Sequence, residues 1–269
     1  MDELQIVAEE TISRTPEIIA ATPGASADST FHAHQLPPLK KDACPNFPPF
    51  TVRIEGLDAF TTARKYIQLD PTIRGKVAVL NLASDQYRAG GWRRTLSKTQ
   101  EEALCYSSTL YITLKEEYYP WPNLGPGSDA GIYSPAVIIF KDDLDHSCAD
   151  LPVNQRETVA VLTVAAPRFP EILDGRFLNS SDLHDLKEKI RLVYRMAAHN
   201  GKQVLVLGAM GCGAYGCPPR QVSEEMKAIL FDEEFVGWFK EAIFAVYPAG
   251  RTGKTNYEVF KEVFEALDS

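Results

Sequence analysis

Residues 203–216 read QVLVLGAMGCGAYG, a short apolar run followed directly by a glycine-rich loop. A helical segment that opens with Pro218-Pro219 comes next. Glycines let successive backbone N–H groups point inward, so a strand, a glycine-rich loop and a helix start form an arrangement that binds phosphate. No acidic residue follows at the ribose distance of a matching βαβ unit, which distinguishes the loop from a Rossmann fingerprint. A tight turn that binds nothing stays open as the alternative.

Short apolar runs and helical segments alternate from Phe50 onward. The runs VAVL at 77–80 and VAVL at 159–162 are apolar on both faces, which is typical of strands buried between two layers of helices. The sequence therefore predicts a three-layer α/β fold. The predicted strands are 51–54, 76–82, 132–140, 158–165, 203–207 and 242–247, and the predicted helices are 59–69, 100–114, 181–199, 219–230 and 257–267.

The first 49 residues have a different character. Residues 2–20 predict a helix that Pro16 bends or ends. Residues 21–49 are rich in Pro, Ser, Ala and Asp and predict a loop. We expect residues 1–49 to form an N-terminal helix and a lead-in that wraps a catalytic domain of residues 50–269, the whole forming one compact unit.

Composition and charge exclude several classes of protein. The 269 residues are 45% hydrophobic and carry a net charge of −8, which repels nucleic acid at long range. No window approaches the roughly 18 apolar residues of a membrane span, and residues 1–10 lack the layout of a secretory signal. Five cysteines without a repeating spacing indicate free thiols in a reducing compartment. We expect an intracellular protein, cytoplasmic or nuclear, a monomer without a membrane partner or direct sequence-specific binding of nucleic acid.

A second glycine loop, Ala89-Gly90-Gly91-Trp92, follows the buried strand that ends at Asn81-Leu82. Alone it is best interpreted as a flexible loop. Ligands of α/β sheets bind at the carboxyl ends of strands, however, so two glycine loops at such ends support each other as parts of one site.

The segment Thr99-Gln100-Glu101-Glu102 opens the next helix. One interpretation is structural: Thr99 caps the helix and Glu102 completes a capping box. The other is that Glu101 and Glu102 project into a pocket floored by Gly90 and Gly91. Consecutive helical residues point about 100° apart, so the two carboxylates cannot flank one bond as in ordinary glycosidases. One would handle a proton and the other would hold a hydroxyl.

The combined pattern of Gly90-Gly91, eight residues and Gln100-Glu101-Glu102 resembles the GGG-x(6–8)-QEE signature of poly(ADP-ribose) glycohydrolases, and the microbial-type branch is the most similar. The resemblance covers most of residues 5–248. It implies a macrodomain-like fold with a mixed central sheet and a hydrolase that releases ADP-ribose from ADP-ribose polymers or ADP-ribosylated macromolecules, without metal or cofactor. Further matching stretches are 7–11, 79–84, 102–108, 133–135, 165–167 and 207–216.

The resemblance also implies roles for individual residues. Glu102 would be catalytic and Glu101 would contact ribose hydroxyls. Tyr215, where the family usually has Phe, would order the ribose at the cleavage point, and Asn81 would lie at the ribose end. The remaining substrate-binding positions, which include those of the diphosphate, are Gly90, Gly91, Trp92, Gln100, Gly211, Cys212, Gly213 and Ala214.

Two departures from the family pattern keep alternatives open. Ala89 replaces the first glycine of the triplet, which costs on the order of 1 kcal/mol if the position needs a positive φ. Arg168 stands where the family pattern has an Asn after its Ala-Pro motif. We expect its side chain either to bind an extra phosphate or to lie on the surface in solvent. A mono-ADP-ribosyl hydrolase and a macrodomain that binds ADP-ribose without cleaving it are the alternative functions, and the intact Gln100-Glu101-Glu102 favours an enzyme. Other chemistry, a Cys212 nucleophile or a metal at 142–146, has weaker support.

Overall fold

A computed structural model describes residues 3–248 and 254–265. The helices are α1 (Glu3–Ala21), α2 (Ala59–Leu69), α3 (Gln100–Ser107), α4 (Leu110–Thr113), α5 (Ser180–His199), α6 (Pro219–Leu230) and α7 (Asn256–Glu265). The strands are β1 (Thr30–His32), β2 (Arg53–Glu55), β3 (Val77–Leu82), β4 (Gly131–Ile139), β5 (Glu157–Val164), β6 (Ile172–Leu173), β7 (Arg176–Phe177), β8 (Val204–Leu207) and β9 (Glu241–Ala245). None of these helices is long and apolar enough to cross a membrane.

Seven strands form the central sheet in the order β1-β4-β5-β3-β8-β9-β2. The strands from β5 to β2 run parallel, while β4 is antiparallel to both β5 and β1. The mixed sheet is therefore confirmed. Because β5, β3 and β8 are parallel neighbours, the loops that follow them lie at one edge of the sheet, which is where α/β proteins bind ligands.

Helices cover both faces of the sheet, as the three-layer prediction requires. In β3 the side chains of Val77 and Val79 pack with α2, α3 and α4, while Ala78 and Leu80 pack with α5 and α6 on the other face. All four are at most 1% exposed. Asn81 continues the alternation and faces the α3 side at the strand's carboxyl end.

The N-terminal segment departs from its predicted form at one strand and agrees with it at the first helix. Residues 30–32, predicted as loop, form the edge strand β1, which pairs with β4 at Tyr133, Ile132 and Gly131. Helix α1 spans Glu3–Ala21 with Pro16 inside it, which agrees with the predicted helix over 2–20 and shows that Pro16 does not end it. The division of the chain at residue 49 stays a prediction.

The predicted helix over 100–114 is two helices in the structure. Ser108 has extended backbone angles and forms a β-bridge with Ile139 of β4. Its hydroxyl donates to Leu104 O at 2.7 Å, and Thr109 exchanges two hydrogen bonds with Ile138. Pairing with the sheet thus interrupts the helix between α3 and α4.

The other predicted elements agree with the structure to within one or two residues at most of their ends. The short hairpin β6–β7 was not predicted, because Ile172, Leu173 and Arg176 are exposed and carry no alternation. The predicted ends at residue 2 and at 266–267 lie outside the described residues.

Candidate active site

Three loops meet at the carboxyl edge of the sheet, after β3, β5 and β8. The phenol of Tyr215 in the β8 loop donates to Asp85 Oδ1 in the β3 loop at 3.0 Å. The backbone N–H of Phe169 in the β5 loop donates to Tyr215 O at 2.9 Å. Gly211 has φ +74°, and a Cβ there would lie 2.6 Å from the Ala166 Cβ. The two predicted glycine loops are therefore neighbours, joined through the loop after β5.

Glu101 lies at the base of this site and is 2% exposed. Its Oε1 accepts from Asn81 Nδ2 at 3.1 Å, and its Oε2 accepts from the backbone N–H of Ser84 at 2.8 Å. Burial raises the pKa of the Glu101 carboxyl to about 8, and the charges of Glu102 and Asp85 act in the same direction. The two hydrogen bonds oppose this rise because they stabilise the ionised form.

Glu102 is 4% exposed and contacts the first glycine loop. Its Oε1 accepts from the backbone N–H of Gly91 at 2.7 Å, and its Oε2 accepts from the hydroxyl of Thr99. In a capping box the Thr side chain would instead accept from the helix N–H. Thr99 makes no such side-chain cap, so the capping-box interpretation does not describe this helix start.

The glycines of the first loop allow the two carboxylates to approach the backbone. A Cβ at Gly90 would lie 2.6 Å from Glu102 Oε1 and 3.0 Å from Glu101 Oε2. One at Gly91 would overlap the hydroxyl of Thr95. Gly90 also has φ +54°, so its backbone conformation and the two buried carboxylates both favour glycine there, whereas Thr95 could turn away from a side chain at Gly91. Both carboxylates come close to the same short stretch of backbone.

Ala89 adopts φ +55°, so the position does need the left-handed conformation that the family triplet supplies with glycine. Its methyl group is fully buried, as is the ring of Trp92. The Trp92 ring packs 4.6 Å from that of Tyr111 and 5.8 Å from that of Tyr106. The structure therefore places Trp92 in the core beneath the loop, and its predicted contact with substrate would have to come from the backbone.

Asn81 and Gln100 tie α3 to β3. The Gln100 side chain donates to Leu80 O at 2.7 Å and accepts from Leu82 N at 2.8 Å. Its amide thus pairs with backbone groups of β3 as a neighbouring strand would. Asn81 is fully buried, and its Oδ1 has no hydrogen-bond partner among the described residues. Gln100 thus orients the helix start, while Asn81 leaves an acceptor unused beside Glu101.

The second glycine loop is open to solvent at its tip. Gly213 and Ala214 are exposed, and a Cβ at Gly213 would meet nothing within 4 Å. Cys212 makes a long contact of 3.6 Å from Sγ to Met210 O, and burial raises the pKa of its thiol well above the usual value. A protonated thiol is a poor nucleophile, so the geometry disfavours that role.

Asp85 is fully buried between these loops, and sequence reasoning missed it. Its Oδ1 accepts from Tyr215 and from Asn123 Nδ2 at 3.1 Å, and its Oδ2 lies 3.6 Å from Arg168 Nη2. Arg168 therefore contacts a carboxylate, an option that neither of its two interpretations included. An acidic residue just after a buried parallel strand is the signal that could have identified Asp85.

A cluster of possible metal ligands lies away from this site. Ligand atoms of Asp142, Asp143 and His146 come within 4.8 Å of one another. Because β4 is antiparallel to β5, the end of β4 places the cluster at the opposite edge of the sheet. Asp142 is paired with Arg64 at 2.8 Å, and Asp143 accepts from the hydroxyl of Thr61 at 2.6 Å. Local partners therefore account for these carboxylates.

Comparison with known proteins identifies relatives of this arrangement. A family model for the catalytic domain of microbial-type poly(ADP-ribose) glycohydrolase matches residues 8–142. The fold is similar to that enzyme from Thermomonospora curvata bound to the inhibitor ADP-HPD, with a TM-score of 0.74 and 25% identity over 96% of this chain and 98% of that one. It is also similar to the enzyme from Deinococcus radiodurans in complex with ADP-ribose, with a TM-score of 0.65 and 30% identity over 81% and 85%. No curated protein matches the chain.

Proposed function

The chain belongs to the microbial-type poly(ADP-ribose) glycohydrolase family, and we propose that Glu102 is the acid with which it hydrolyses ribose–ribose bonds of poly(ADP-ribose) to release ADP-ribose. Glu101 would hold ribose hydroxyls of the substrate. The second glycine loop would hold the diphosphate through its backbone N–H groups. In the first loop the N–H of Gly90 donates to Tyr87 O at 2.9 Å and that of Gly91 donates to Glu102, so the predicted diphosphate contacts of Gly90 and Gly91 would need these bonds to break.

One observation carries the assignment of roles: two adjacent carboxylates are buried without a cation. Glu101 and Glu102 are at most 4% exposed, and among the described residues no Lys, Arg or His forms an ion pair with either. Burying a carboxylate without a compensating charge costs several kcal/mol. That cost is comparable to the whole free energy of unfolding of a domain, which is about 5–15 kcal/mol. Such an arrangement supports a catalytic role better than a structural one.

Glu102 is the better placed of the two to deliver a proton. It contacts the Gly91 N–H on the first glycine loop, whereas Glu101 is held by Asn81 and Ser84 in the wall of the sheet. As the glycosidic C–O bond breaks, Glu102 would protonate the departing ribose oxygen. Water would then add to the oxocarbenium-like carbon and return its proton to Glu102.

Asn81 and Glu101 would form the wall that receives the ribose. The unpartnered Oδ1 of Asn81 is an acceptor that a ribose hydroxyl can satisfy, and leaving such a group unpaired costs about 1–3 kcal/mol. Tyr215 is half-buried at the junction of the loops, where its ring could pack on the sugar. This supports its predicted role in ordering the ribose at the cleavage point.

Glu102→Gln tests the proposal. Gln can fill the site: its carbonyl can accept from the Gly91 N–H, and its NH₂ can donate to the Thr99 hydroxyl, which can also act as acceptor. We therefore expect stability and ADP-ribose affinity close to wild type. Release of ADP-ribose from the polymer should fall by about 10²–10⁴-fold, the usual contribution of general acid catalysis.

Glu157→Gln is the matched control, because Glu157 is a 5% exposed carboxylate at the opposite edge of the sheet, paired with Arg74. This variant should have a lower free energy of unfolding than wild type. The fraction that remains folded should release ADP-ribose at the wild-type rate per molecule. Equal rates for wild type and Glu102→Gln would refute the catalytic role. Calorimetric binding of ADP-ribose by wild type, without release from any polymer or mono-ADP-ribosylated acceptor, would favour the non-catalytic macrodomain. An intracellular, monomeric protein stays a prediction.

A further inference from the structure

The loop that leads from the first glycine turn to α3 has a charge opposite to that of the chain. Residues 86–100 contain four basic residues and no acidic one, whereas the whole chain carries a net charge of −8. We call residues 93–98 the basic loop; it contains Arg93, Arg94 and Lys98. The fourth cation, Arg88, donates to Tyr111 O at 2.6 Å and lies over the Tyr111 ring, so it has an internal role.

The cations of the basic loop are exposed and keep their charge unneutralised. Among the described residues no carboxylate lies within 4.0 Å of Arg93, Arg94 or Lys98. The guanidinium of Arg94 lies 4.4 Å from the centroid of the Tyr87 ring, which orders the side chain without removing its charge. Exposed arginines with free donors are suited to bind phosphate, because the planar guanidinium matches its oxygens.

The basic loop is tied directly to the catalytic carboxylate. Gly91 O accepts backbone N–H groups from Thr95 at 2.9 Å and Leu96 at 3.0 Å, while Gly91 N donates to Glu102. The turn at Gly91 therefore fixes the position of Glu102 and also that of the backbone that carries Arg93 and Arg94. The second glycine loop is anchored separately, through the hydrogen bond from Tyr215 to Asp85. The cations of the basic loop form no ion pair with that carboxylate.

The chemistry of the substrate indicates what meets these arginines. Glu102 protonates the departing oxygen, so the leaving part of the polymer lies on the Glu102 side of the scissile bond. That oxygen belongs to the adenosine ribose of the next unit, and the diphosphate of that unit is attached to the same ribose. The nearest phosphates on the leaving side are thus one sugar away from Glu102.

We propose that Arg93 and Arg94 form an acceptor-side subsite that binds the diphosphate of the second ADP-ribose unit. The subsite rests on the proposed function, and it makes the polymer a better substrate than a single ADP-ribosyl group on a neutral acceptor. Lys98 flanks the subsite. The second glycine loop retains the diphosphate of the unit that is released.

Hydrolysis by the double variant R93A/R94A tests the subsite. With poly(ADP-ribose) at low salt, kcat/KM should fall about tenfold, as expected when two interactions between exposed charges are removed. The slope of log kcat/KM against log salt should become shallower by about 0.7 for each phosphate that the variant no longer neutralises. With ADP-ribose carrying a nitrophenyl leaving group, which has no acceptor-side phosphate, the rate should not change. R93K/R94K should restore part of the polymer activity.

The matched control is K40A/K240A, which removes the same charge away from the site. Both lysines are exposed, and Lys240 lies 4.9 Å from the centroid of the Phe47 ring, as Arg94 does over Tyr87. This control should leave both substrates unaffected. Equal losses on the two substrates in R93A/R94A would overturn the proposal, as would unchanged polymer kinetics and salt slope.

A binding experiment separates failure of the subsite from failure of the proposed function. Calorimetry in the Glu102→Gln background compares ADP-ribose with the two-unit oligomer, and needs no turnover. The oligomer should bind more tightly, and R93A/R94A should abolish that difference while leaving ADP-ribose affinity unchanged. Equal affinity of the parent protein for the two ligands would overturn the subsite even if the enzyme is active. Tighter oligomer binding that depends on the arginines would support it even if no hydrolysis occurs.

Discussion

Removal of the Tyr215 hydroxyl should cost stability and little catalytic rate. The hydroxyl donates to Asp85 Oδ1 at 3.0 Å and so joins the loop after β8 to the loop after β3. Tyr215→Phe keeps the ring that would order the ribose and removes this bond, together with the contacts of the hydroxyl with the Ser84 side chain and the Asp85 backbone. Phe is also the residue that the family pattern favours at this position. The variant therefore separates the anchoring of the loop from the chemistry.

The magnitude follows from the burial and charge of Asp85. A hydrogen bond to a charged group contributes about 1.5–3 kcal/mol. Asp85 is fully buried, but it keeps the bonds from Asn123 at 3.1 Å and Gln86 at 3.2 Å, so it is not left without donors. We therefore expect the free energy of unfolding to fall by about 1.5–2 kcal/mol, which lowers Tm by about 3–8 °C in a chain of this size.

Tyr194→Phe is the matched control for this prediction. Tyr194 is fully buried and donates to the neutral Met226 O at 3.0 Å, a bond for which about 0.5–1.5 kcal/mol is expected. Chemical denaturation of wild type and both variants gives the comparison, and release of ADP-ribose from polymer gives the rates. Tyr215→Phe should lose more stability than Tyr194→Phe while turning over nearly as fast as wild type.

Two results would refute the reasoning. A loss of stability in Tyr215→Phe equal to or smaller than that in Tyr194→Phe would mean that the bond to Asp85 is not a charge-assisted anchor. A large fall in kcat with unchanged stability would mean that the hydroxyl takes part in the reaction.

Ala89→Gly should change the free energy of unfolding by less than about 1 kcal/mol, because relief of the positive φ, about 1 kcal/mol, is offset by the removal of a buried methyl and a freer unfolded chain. Denaturation measures it, and a gain well above 1 kcal/mol would reveal strain. Burial raises the pKa of Glu101 from 4.5 to about 8, so between these pH values the folded state holds a proton that the unfolded state lacks. Glu101 should therefore lower the free energy of unfolding by about 1.4 kcal/mol per pH unit as pH rises through this window. Glu101→Gln should abolish that slope in urea titrations at several pH values, and an identical slope in both proteins would contradict the assignment.

The amino-acid sequence by itself determined the fold class and the edge that carries the site. The two VAVL runs are apolar on both faces, and this local periodicity reports burial between helices without knowledge of any partner strand. The glycines after β3 and β8 likewise indicate loops whose backbone conformations or close contacts a Cβ would disfavour. The pair Glu101-Glu102 is identified by the resemblance of its spacing from Gly90-Gly91 to the family signature, which is readable in the sequence because one short loop separates the two motifs.

Only the tertiary structure decided the features that depend on residues distant in sequence. Strand β1 exists because residues 30–32 pair with β4, about a hundred residues away, and nothing in that short, partly exposed segment indicates it. Ser108 interrupts a helical pattern because it bridges to Ile139. The Thr99 hydroxyl donates to Glu102 instead of capping the helix, and Asp85 receives Tyr215 from 130 residues away. Local periodicity carries no record of such partners, since each bond forms only after the loops have been brought together by the sheet.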